Sequence, residues 1–535
     1  MDPQDDTIFA LSSGGGGGAR QYQATALAVI RISGPQALST LQSMLLRPNK
    51  RTIVPRQATL CKLYTPITNN NQNTPRVVLD QALVLYFPQP HSFTGDDVVE
   101  LHCHGSRAVV TDLLDTLAHL PGHRMAEPGE FTQRAFAKGK LDLLQVEALA
   151  DLLTADTSRQ RQQALTQLDG TLSDCYTSWR HMLIGGLAHA EAVIDFGDDE
   201  ALIEDDTQAE QEEGDMLLMT EDVQQWNIWG NVRVQMAELR RAMEYQLQDS
   251  RRGELVREGL RICIVGPPNA GKSSLFNVLA QKDAAIVSNI AGTTRDVLEL
   301  SLNLAGIKCV LSDTAGVRTF TSDQIEQEGI ARAKKVAQQA DVVVAMVEQG
   351  NAVAGMEILE TVLKDSADEA LLEGDEHDSS SVTTTHKLAS ENVLLVLNKM
   401  DLVKDTNDNT DPSSTNQDIR TFGISCHTNE GIDAFLEALT QTVTNRINGD
   451  TATAPNNSNS DNEGSLITRA RHRQHVQAAV EALRRFDHLS QQGTMVVDMA
   501  AEELRLAASE LGRVTGAVDV EDILDKLFKD FCIGK

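Results

Sequence analysis

A glycine-rich loop between an apolar run and a helical run constrains this chain more than any other feature. The run 260–265 predicts a strand, residues 266–273 read Gly-Pro-Pro-Asn-Ala-Gly-Lys-Ser, and residues 274–279 have a helical pattern. In a strand–loop–helix of this kind, backbone N–H groups and the helix N-terminus surround phosphate groups. The sequence therefore predicts a nucleotide site in which Lys272 reaches the β and γ oxygens and Ser273 binds Mg²⁺.

Two motifs downstream are typical of the metal and γ-phosphate side of such a site. Residues 292–296 read Gly-Thr-Thr-Arg-Asp, where a switch loop would place the Thr294 hydroxyl on Mg²⁺. Residues 313–316 read Asp-Thr-Ala-Gly after an apolar run, so Asp313 would hold the metal shell and Gly316 would donate its N–H to the γ-phosphate. Both motifs predict a nucleoside triphosphate bound with magnesium.

Two further motifs indicate that the base is guanine. Residues 398–401, Asn-Lys-Met-Asp, follow an apolar run, and the Asp401 carboxylate can accept two hydrogen bonds from guanine that adenine cannot offer. Residues 425–427, Ser-Cys-His, follow the next apolar run and can present a backbone N–H to the guanine carbonyl. Five motifs in this order predict a GTP-binding domain.

The means of hydrolysis is less ordinary. Val317 follows the Asp-Thr-Ala-Gly motif where many regulatory GTPases carry a glutamine that positions the attacking water. Because valine cannot hydrogen-bond that water, hydrolysis should need a different acid or base, an added cation or a partner. Asn269 inside the loop offers an amide oxygen for a monovalent cation near the phosphates, or it only braces the loop.

Composition excludes several classes of protein. With 47 Lys and Arg against 77 Asp and Glu, the net charge of −30 argues against a general nucleic-acid coat protein. Seven scattered cysteines without a Cys-x-x-Cys pair argue against a disulfide framework or a zinc ribbon. No apolar run approaches the ~18 residues of a membrane span, and the N-terminus has neither a signal core nor a transit-like composition, so we expect a soluble intracellular protein.

The patterning predicts a multidomain chain that combines α/β and α domains. Residues 1–138 are mixed, with β-rich runs that predict an α+β domain. Residues 139–258 have helical spacing, and residues 259–448 alternate strand and helix signals. Residues 449–535 begin with a polar linker and become helical again. The simplest architecture is a helical domain split by an inserted Ras-like P-loop G domain.

With these motifs and the C-terminal Phe-Cys-Ile-Gly-Lys, the chain resembles the MnmE (TrmE) family of tRNA modification GTPases. The N-terminal motifs that carry the resemblance are Val-Ile-Arg-Ile-Ser-Gly at 29–34, Ser-Phe-Thr-Gly-Asp at 92–96, Pro-Gly-Glu-Phe-Thr at 128–132 and Arg-Ala-Phe-Ala-Lys-Gly-Lys at 134–140. Residues 8–14 and 162–170 look most like the eukaryotic, mitochondrial branch.

The resemblance implies a homodimer that works with an FAD-dependent MnmG-type flavoprotein in a heterotetramer. Together they would add an aminomethyl-type group to carbon 5 of the wobble uridine in tRNA, with glycine or taurine as the amine. The one-carbon unit would come from 5-formyl- or 5,10-methylene-tetrahydrofolate, in a pocket formed by Arg31, Glu100, Lys140 and the terminal Lys535. The implied location is the mitochondrion, although no transit segment is visible, with the bacterial cytoplasm as the alternative.

The resemblance also implies activation by K⁺, which Asn269, Ser288, Ile290 and Thr293 would bind. Glu326 corresponds to the family's catalytic glutamate, with Glu328 as the competing register, and Cys532 is either a nucleophile or a small buried hydrophobe. The motifs and the resemblance together predict which residues bind GTP. They are Asn269, Ala270, Gly271, Lys272, Ser273, Ser274, Ser288, Thr293, Thr294, Asp313, Thr314, Ala315, Gly316, Asn398, Lys399, Asp401, Ser425, Cys426 and His427.

Three alternatives stay open. The chain could instead be a regulatory GTPase of ribosome assembly, although it has no Gly-x-x-Gly RNA module after the G domain. His102-Cys103-His104 could suggest a metal, but alternation along a strand places both histidines on one face with Glu100. The basic run 469–473 could contact tRNA or, more simply, pair with acids of neighbouring helices.

Overall fold

The chain forms two compact units, defined by contacts within each. The first comprises residues 1–153, 165–240 and 478–535, and the second comprises 154–164 and 241–477. The computed structural model describes residues 6–13, 24–46, 53–66, 76–196, 228–248, 250–267, 269–282, 284–286, 298–313, 336–337, 339–349, 392–402, 419–448, 467–492, 496–518, 524, 527–528, 531 and 534.

The first unit contains a six-stranded sheet in the order β3-β4-β5-β2-β1-β6. Its strands are β1 Thr7–Leu11, β2 Leu27–Ser33, β3 Thr59–Tyr64, β4 Val78–Phe87, β5 Val98–His104 and β6 His123–Met125. All neighbours are antiparallel except β1 and β6. On β5, Leu101 and Cys103 are buried in the core, whereas Glu100 and His102 lie half-buried on the opposite face. Because successive side chains of a strand point to opposite faces, Glu100 and His102 share one face of the sheet.

Helices account for most of the remaining described chain. They are α1 Ala37–Met44, α2 Arg107–Ala118, α3 Glu130–Ala137, α4 Leu143–Leu153, α5 Ser158–Leu168, α6 Thr171–Phe196, α7 Ile228–Gln248, α8 Ser250–Glu258, α9 Lys272–Ala280, α10 Ile432–Asn448, α11 Ala470–Ser490 and α12 Val497–Thr515. The division between units falls inside α5, α7 and α11. Among the described helices, none has the length and apolar character to cross a membrane.

The second unit is an α/β domain around a sheet in the order β12-β11-β10-β7-β9-β8. Its strands are β7 Leu260–Val265, β8 Leu298–Leu304, β9 Ile307–Asp313, β10 Val342–Glu348, β11 Val393–Asn398 and β12 Arg420–Gly423. All pair in parallel except β8, which is an antiparallel edge strand. Alternate residues of β7 enter two different cores, so the strand is apolar apart from the exposed Arg261 near its start. Its carboxyl end therefore lies at the middle of the edge where ligands of such sheets bind.

The structure confirms the elements predicted from periodicity. Strand β7 has the predicted bounds, and the helical character predicted after residue 139 appears as α4, α5 and α6. The β-rich runs 81–87 and 98–102 predicted two strands that are longer in the structure, β4 from Val78 and β5 to His104, because pairing with neighbouring strands extends them. The predicted polar linker beginning at residue 449 lies outside the described residues up to position 466.

Candidate active site

The loop between β7 and α9 has the geometry of a phosphate-binding loop. Lys272 begins α9, is 9% exposed, and its Nζ donates hydrogen bonds to the carbonyls of Gly266 at 2.8 Å and Pro267 at 2.9 Å. The lysine thus bends back over the loop, while Ser273 and Ser274 are exposed in the first helical turn. This arrangement brings an ammonium group to the loop at a helix N-terminus, with two exposed serines in the first turn.

Two positions of the loop must be glycine, because the backbone there lies very close to residues of β10 and β11. A Cβ at Gly266 would lie 2.0 Å from the carbonyl oxygen of Met346, and one at Gly271 would lie 2.1 Å from Asn398 Nδ2. Gly271 also has a φ of 99°, in the left-handed region. A side chain is therefore excluded at both positions, which explains why the motif has glycine at 266 and at 271.

Asn398, at the end of β11, ties the phosphate loop to the loop after β12. It is 3% exposed, its Nδ2 donates to the carbonyl of Ala270 at 2.8 Å, and its Oδ1 accepts from Cys426 N at 3.2 Å. Two predicted parts of the site are therefore connected through one amide, which lies 128 positions after Ala270 and 28 before Cys426 in the chain.

Asp401 is oriented by a residue of the same downstream loop. The buried Ser425 Oγ donates to Asp401 Oδ1 at 2.6 Å and accepts from the backbone N–H of His427 and Thr428. The hydrogen bond from Ser425 is the main reason that the pKa of Asp401 is lowered. An exposed carboxylate that stays ionised is suited to accept from the N1–H and amino group of guanine.

Cys426 and Lys399, two further predicted residues of the guanine site, differ in character. Burial, followed by the charge of Asp401, raises the pKa of the half-buried Cys426 thiol to about 11, so it is protonated at neutral pH. Lys399 has a left-handed φ of 67°, and its Nζ forms an ion pair with Glu348 Oε1 at the end of β10. Glu348 was not predicted as a site residue, since only the pairing of β10 with β11 brings it to Lys399.

On the metal side, Asp313 ends β9 opposite Ile264 of β7, at the edge that carries the phosphate loop. Asn269 is exposed with a left-handed φ of 63°. The remaining predicted site residues lie outside the described residues: Ser288, Ile290, Thr293, Thr294, Thr314, Ala315, Gly316, Glu326, Cys532 and Lys535.

In the first unit, the structure brings Arg31 and Glu100 together as partners of β2 and β5. Glu100 Oε1 accepts from Arg31 Nη2 at 2.9 Å and Nε at 3.1 Å, and His102 Nε2 lies 3.4 Å from Oε2. The guanidinium also lies 5.7 Å from the ring centroids of Phe93 and Phe131. The result is a half-buried cation with one carboxylate and two aromatic neighbours.

The other predicted folate residue is placed differently. Lys140 is exposed beyond α3, its backbone N–H donates to the carbonyl of Ala135 at 2.8 Å, and its side chain has no hydrogen bond or ion pair to a described residue. Phe93 and Phe131 were not predicted as neighbours of Arg31, whereas alternation along β5 had placed His102 on the face of Glu100. Phe93 belongs to the Ser-Phe-Thr-Gly-Asp motif, which was the available signal.

The remaining polar motifs are explained by local contacts. His104 Nδ1 lies 2.7 Å from Asp80 Oδ1, Cys103 is buried, and within the described ranges no group of three or more His, Cys, Asp or Glu could hold a metal. In the basic run, Arg473 Nε donates to Glu254 of α8 at 2.9 Å, as expected for pairing with neighbouring helices.

The parallel sheet, the phosphate loop after its central strand and the Asn–Asp motif define the class: this is a P-loop G-domain protein, a class that binds GTP with Mg²⁺. A family model described as the MnmE helical domain matches residues 143–532, and one described as the GTP-binding protein TrmE N-terminus matches residues 7–140. The chain belongs to the MnmE (TrmE) family of tRNA modification GTPases, a family of GTP-hydrolysing enzymes.

Relatives in bacteria and in eukaryotes match nearly the whole chain. The tRNA modification GTPase MnmE of Parvibaculum lavamentivorans is 40% identical over 530 residues, which are 99% of this chain and 100% of the relative. The mitochondrial 5-taurinomethyluridine-[tRNA] synthase subunit GTPB3 of Rattus norvegicus is 41% identical over 531 residues, 99% of this chain and 93% of the relative. The mitochondrial tRNA modification GTPase gtpbp3 of Dictyostelium discoideum is 36% identical over 546 residues, 99% and 95% respectively.

Proposed function

We propose that this chain is a potassium-activated GTPase that modifies carbon 5 of the wobble uridine in tRNA. It would act as a homodimer with an MnmG-type flavoprotein that carries FAD. The single observation that carries the GTPase part is the amide of Asn398, which joins Ala270 of the phosphate loop to Cys426 of the guanine loop. Relatives named for tRNA modification and for 5-taurinomethyluridine support the tRNA part.

In this proposal, the nucleotide and Mg²⁺ are held by residues on both sides of the phosphate loop. Lys272, now bonded to loop carbonyls, would reach the β and γ oxygens, and the exposed Ser273 together with Thr294 would hold Mg²⁺, which would supply neutralisation of the phosphate charge. Asp401, held ionised by Ser425, selects guanine.

Potassium would compensate the charge that develops on the γ-phosphate. Asn269 supports this assignment, since its left-handed φ and exposed side chain leave the amide oxygen available at the loop surface. The proposed partners of Asn269 are Ser288, Ile290 and Thr293. Glu326 would orient the attacking water, because Val317 cannot.

The folate site would lie on the first unit. Arg31, a cation beside two aromatic rings, suits a flat, anionic ligand, and Glu100 could accept from the donor edge of a pterin. Lys140 and Lys535 would add cationic contacts. The ligand is 5-formyl- or 5,10-methylene-tetrahydrofolate, and the amine donor is glycine or taurine.

The domain boundaries that accompany this function are 1–138, 139–258, 259–448 and 449–535. The two compact units follow different boundaries, since residues 154–164, 241–258 and 467–477 belong to the same unit as the G domain. We propose a mitochondrial location, as in the relatives from Rattus norvegicus and Dictyostelium discoideum.

Mass spectrometry of tRNA nucleosides from cells that lack the protein tests the function. The wobble-uridine modification should disappear, return with the wild-type gene and fail to return with Asp401→Asn. Intact wobble uridine together with an accumulation of ribosomal precursor particles would instead identify a GTPase of ribosome assembly.

A further inference from the structure

Lys399 has a backbone conformation that lysine rarely adopts. Its φ of 67° lies in the left-handed region, where a side chain is disfavoured. The turn is held on both sides, because Gln349 N donates to the carbonyl of Asn398 at 2.9 Å and Met400 N donates to the carbonyl of Ile424 at 3.2 Å. Such conformations persist where surrounding structure enforces them, and they concentrate at functional sites.

Glu348 sets the direction of this side chain. The residue ends β10 directly opposite Asn398 of β11, and its Oε1 contacts Lys399 Nζ. The two side chains are 45% and 35% exposed, so the pair is open to solvent. Ion pairs of this exposure contribute little to the stability of a folded chain.

Each polar side chain of the 398–401 motif therefore has a fixed neighbour. Asn398 bonds Ala270 and Cys426, Asp401 accepts from Ser425, and Lys399 pairs with Glu348. A lysine has four rotatable side-chain bonds, and ordering them only when the nucleotide arrives would weaken binding.

We propose that Glu348 is a positioning residue of the guanine site. Its carboxylate orders the Lys399 side chain before guanine binds, so that the motif is preorganised in the free protein. Glu348 touches no nucleotide in this account and acts only through Lys399. The inference rests on the proposed GTP binding of the second unit.

A double-mutant cycle on the full chain tests this, with fluorescent GDP as the probe. Glu348→Gln should weaken GDP binding by about two- to fivefold, through faster dissociation, while kcat at saturating GTP stays unchanged. In a Lys399→Met background the same Glu348→Gln change should have no further effect, since the group through which Glu348 acts is already absent.

Asp433→Asn is the matched control, because it breaks another ion pair of the same unit, with Lys282 at 2.6 Å, and should leave GDP affinity unchanged. An equal loss from Glu348→Gln in both backgrounds would overturn the proposal in favour of a merely structural role. An unchanged affinity of the single variant would also overturn it. If the wild-type chain bound no GDP, the GTPase function itself would fail, which separates the two conclusions.

Discussion

Replacing Asn398 by alanine should separate the phosphate loop from the guanine loop. In the wild-type chain this buried amide satisfies the carbonyl of Ala270 and the N–H of Cys426. Alanine leaves both groups without that partner, and an unsatisfied buried polar group costs about 1–3 kcal/mol. Because Cys426 is only half-buried, we expect the sum to fall near about 2–4 kcal/mol.

Hydrogen exchange of the Cys426 backbone amide measures this destabilisation directly. Local opening that is easier by that amount should accelerate exchange of the Cys426 amide by roughly 30- to 800-fold. GDP affinity should fall in parallel in a direct titration. Asn398→Asp is the control, since it retains an acceptor for Cys426 N–H but loses the donor to Ala270. Unchanged exchange at Cys426 in Asn398→Ala would refute the reasoning.

Asp401→Asn should weaken GTP binding by about tenfold or more in a direct titration. Because the hydrogen bond from Ser425 lowers the pKa of Asp401, wild-type GTP affinity should hold through the acidic range in which an ordinary aspartate becomes protonated and should decrease only at lower pH, when this carboxylate is protonated. GTP turnover should rise steeply when K⁺ replaces Na⁺ at constant ionic strength, and Glu326→Ala should abolish that rise with nucleotide affinity nearly intact; equal rates in both salts would exclude potassium activation. Arg31→Gln should weaken calorimetric binding of 5-formyl-tetrahydrofolate to the full chain while GDP affinity is unchanged. Since the pKa of Cys426 is raised to about 11, iodoacetamide should label it slowly at neutral pH and faster as the pH approaches that value; rapid labelling at pH 7 would contradict the burial.

Much of the G domain could be predicted because its signals are local. The phosphate loop is a short segment whose strand, glycines and helix start follow one another in the chain, and the structure has β7 at the predicted bounds. Asp401 and Ser425 were likewise visible, since each follows an apolar strand whose end lies at the ligand edge of a parallel sheet. The family followed from the same motifs and from the N-terminal ones, and matches over nearly the whole chain confirm it.

The sequence by itself determined the class of domain and the nucleotide motifs, and its resemblance to the family pointed to Arg31 and Glu100 as candidate folate residues. Only the tertiary structure decided which groups meet: the Asn398 amide with the carbonyl of Ala270, Arg31 with Phe93 and Phe131, and Lys399 with Glu348. The physical reason is that periodicity reports which face of an element is buried, whereas strand order and register decide which distant residues share that face. Arg31 and Glu100 are 69 positions apart in the chain, and the antiparallel register of β2 and β5 makes them direct partners.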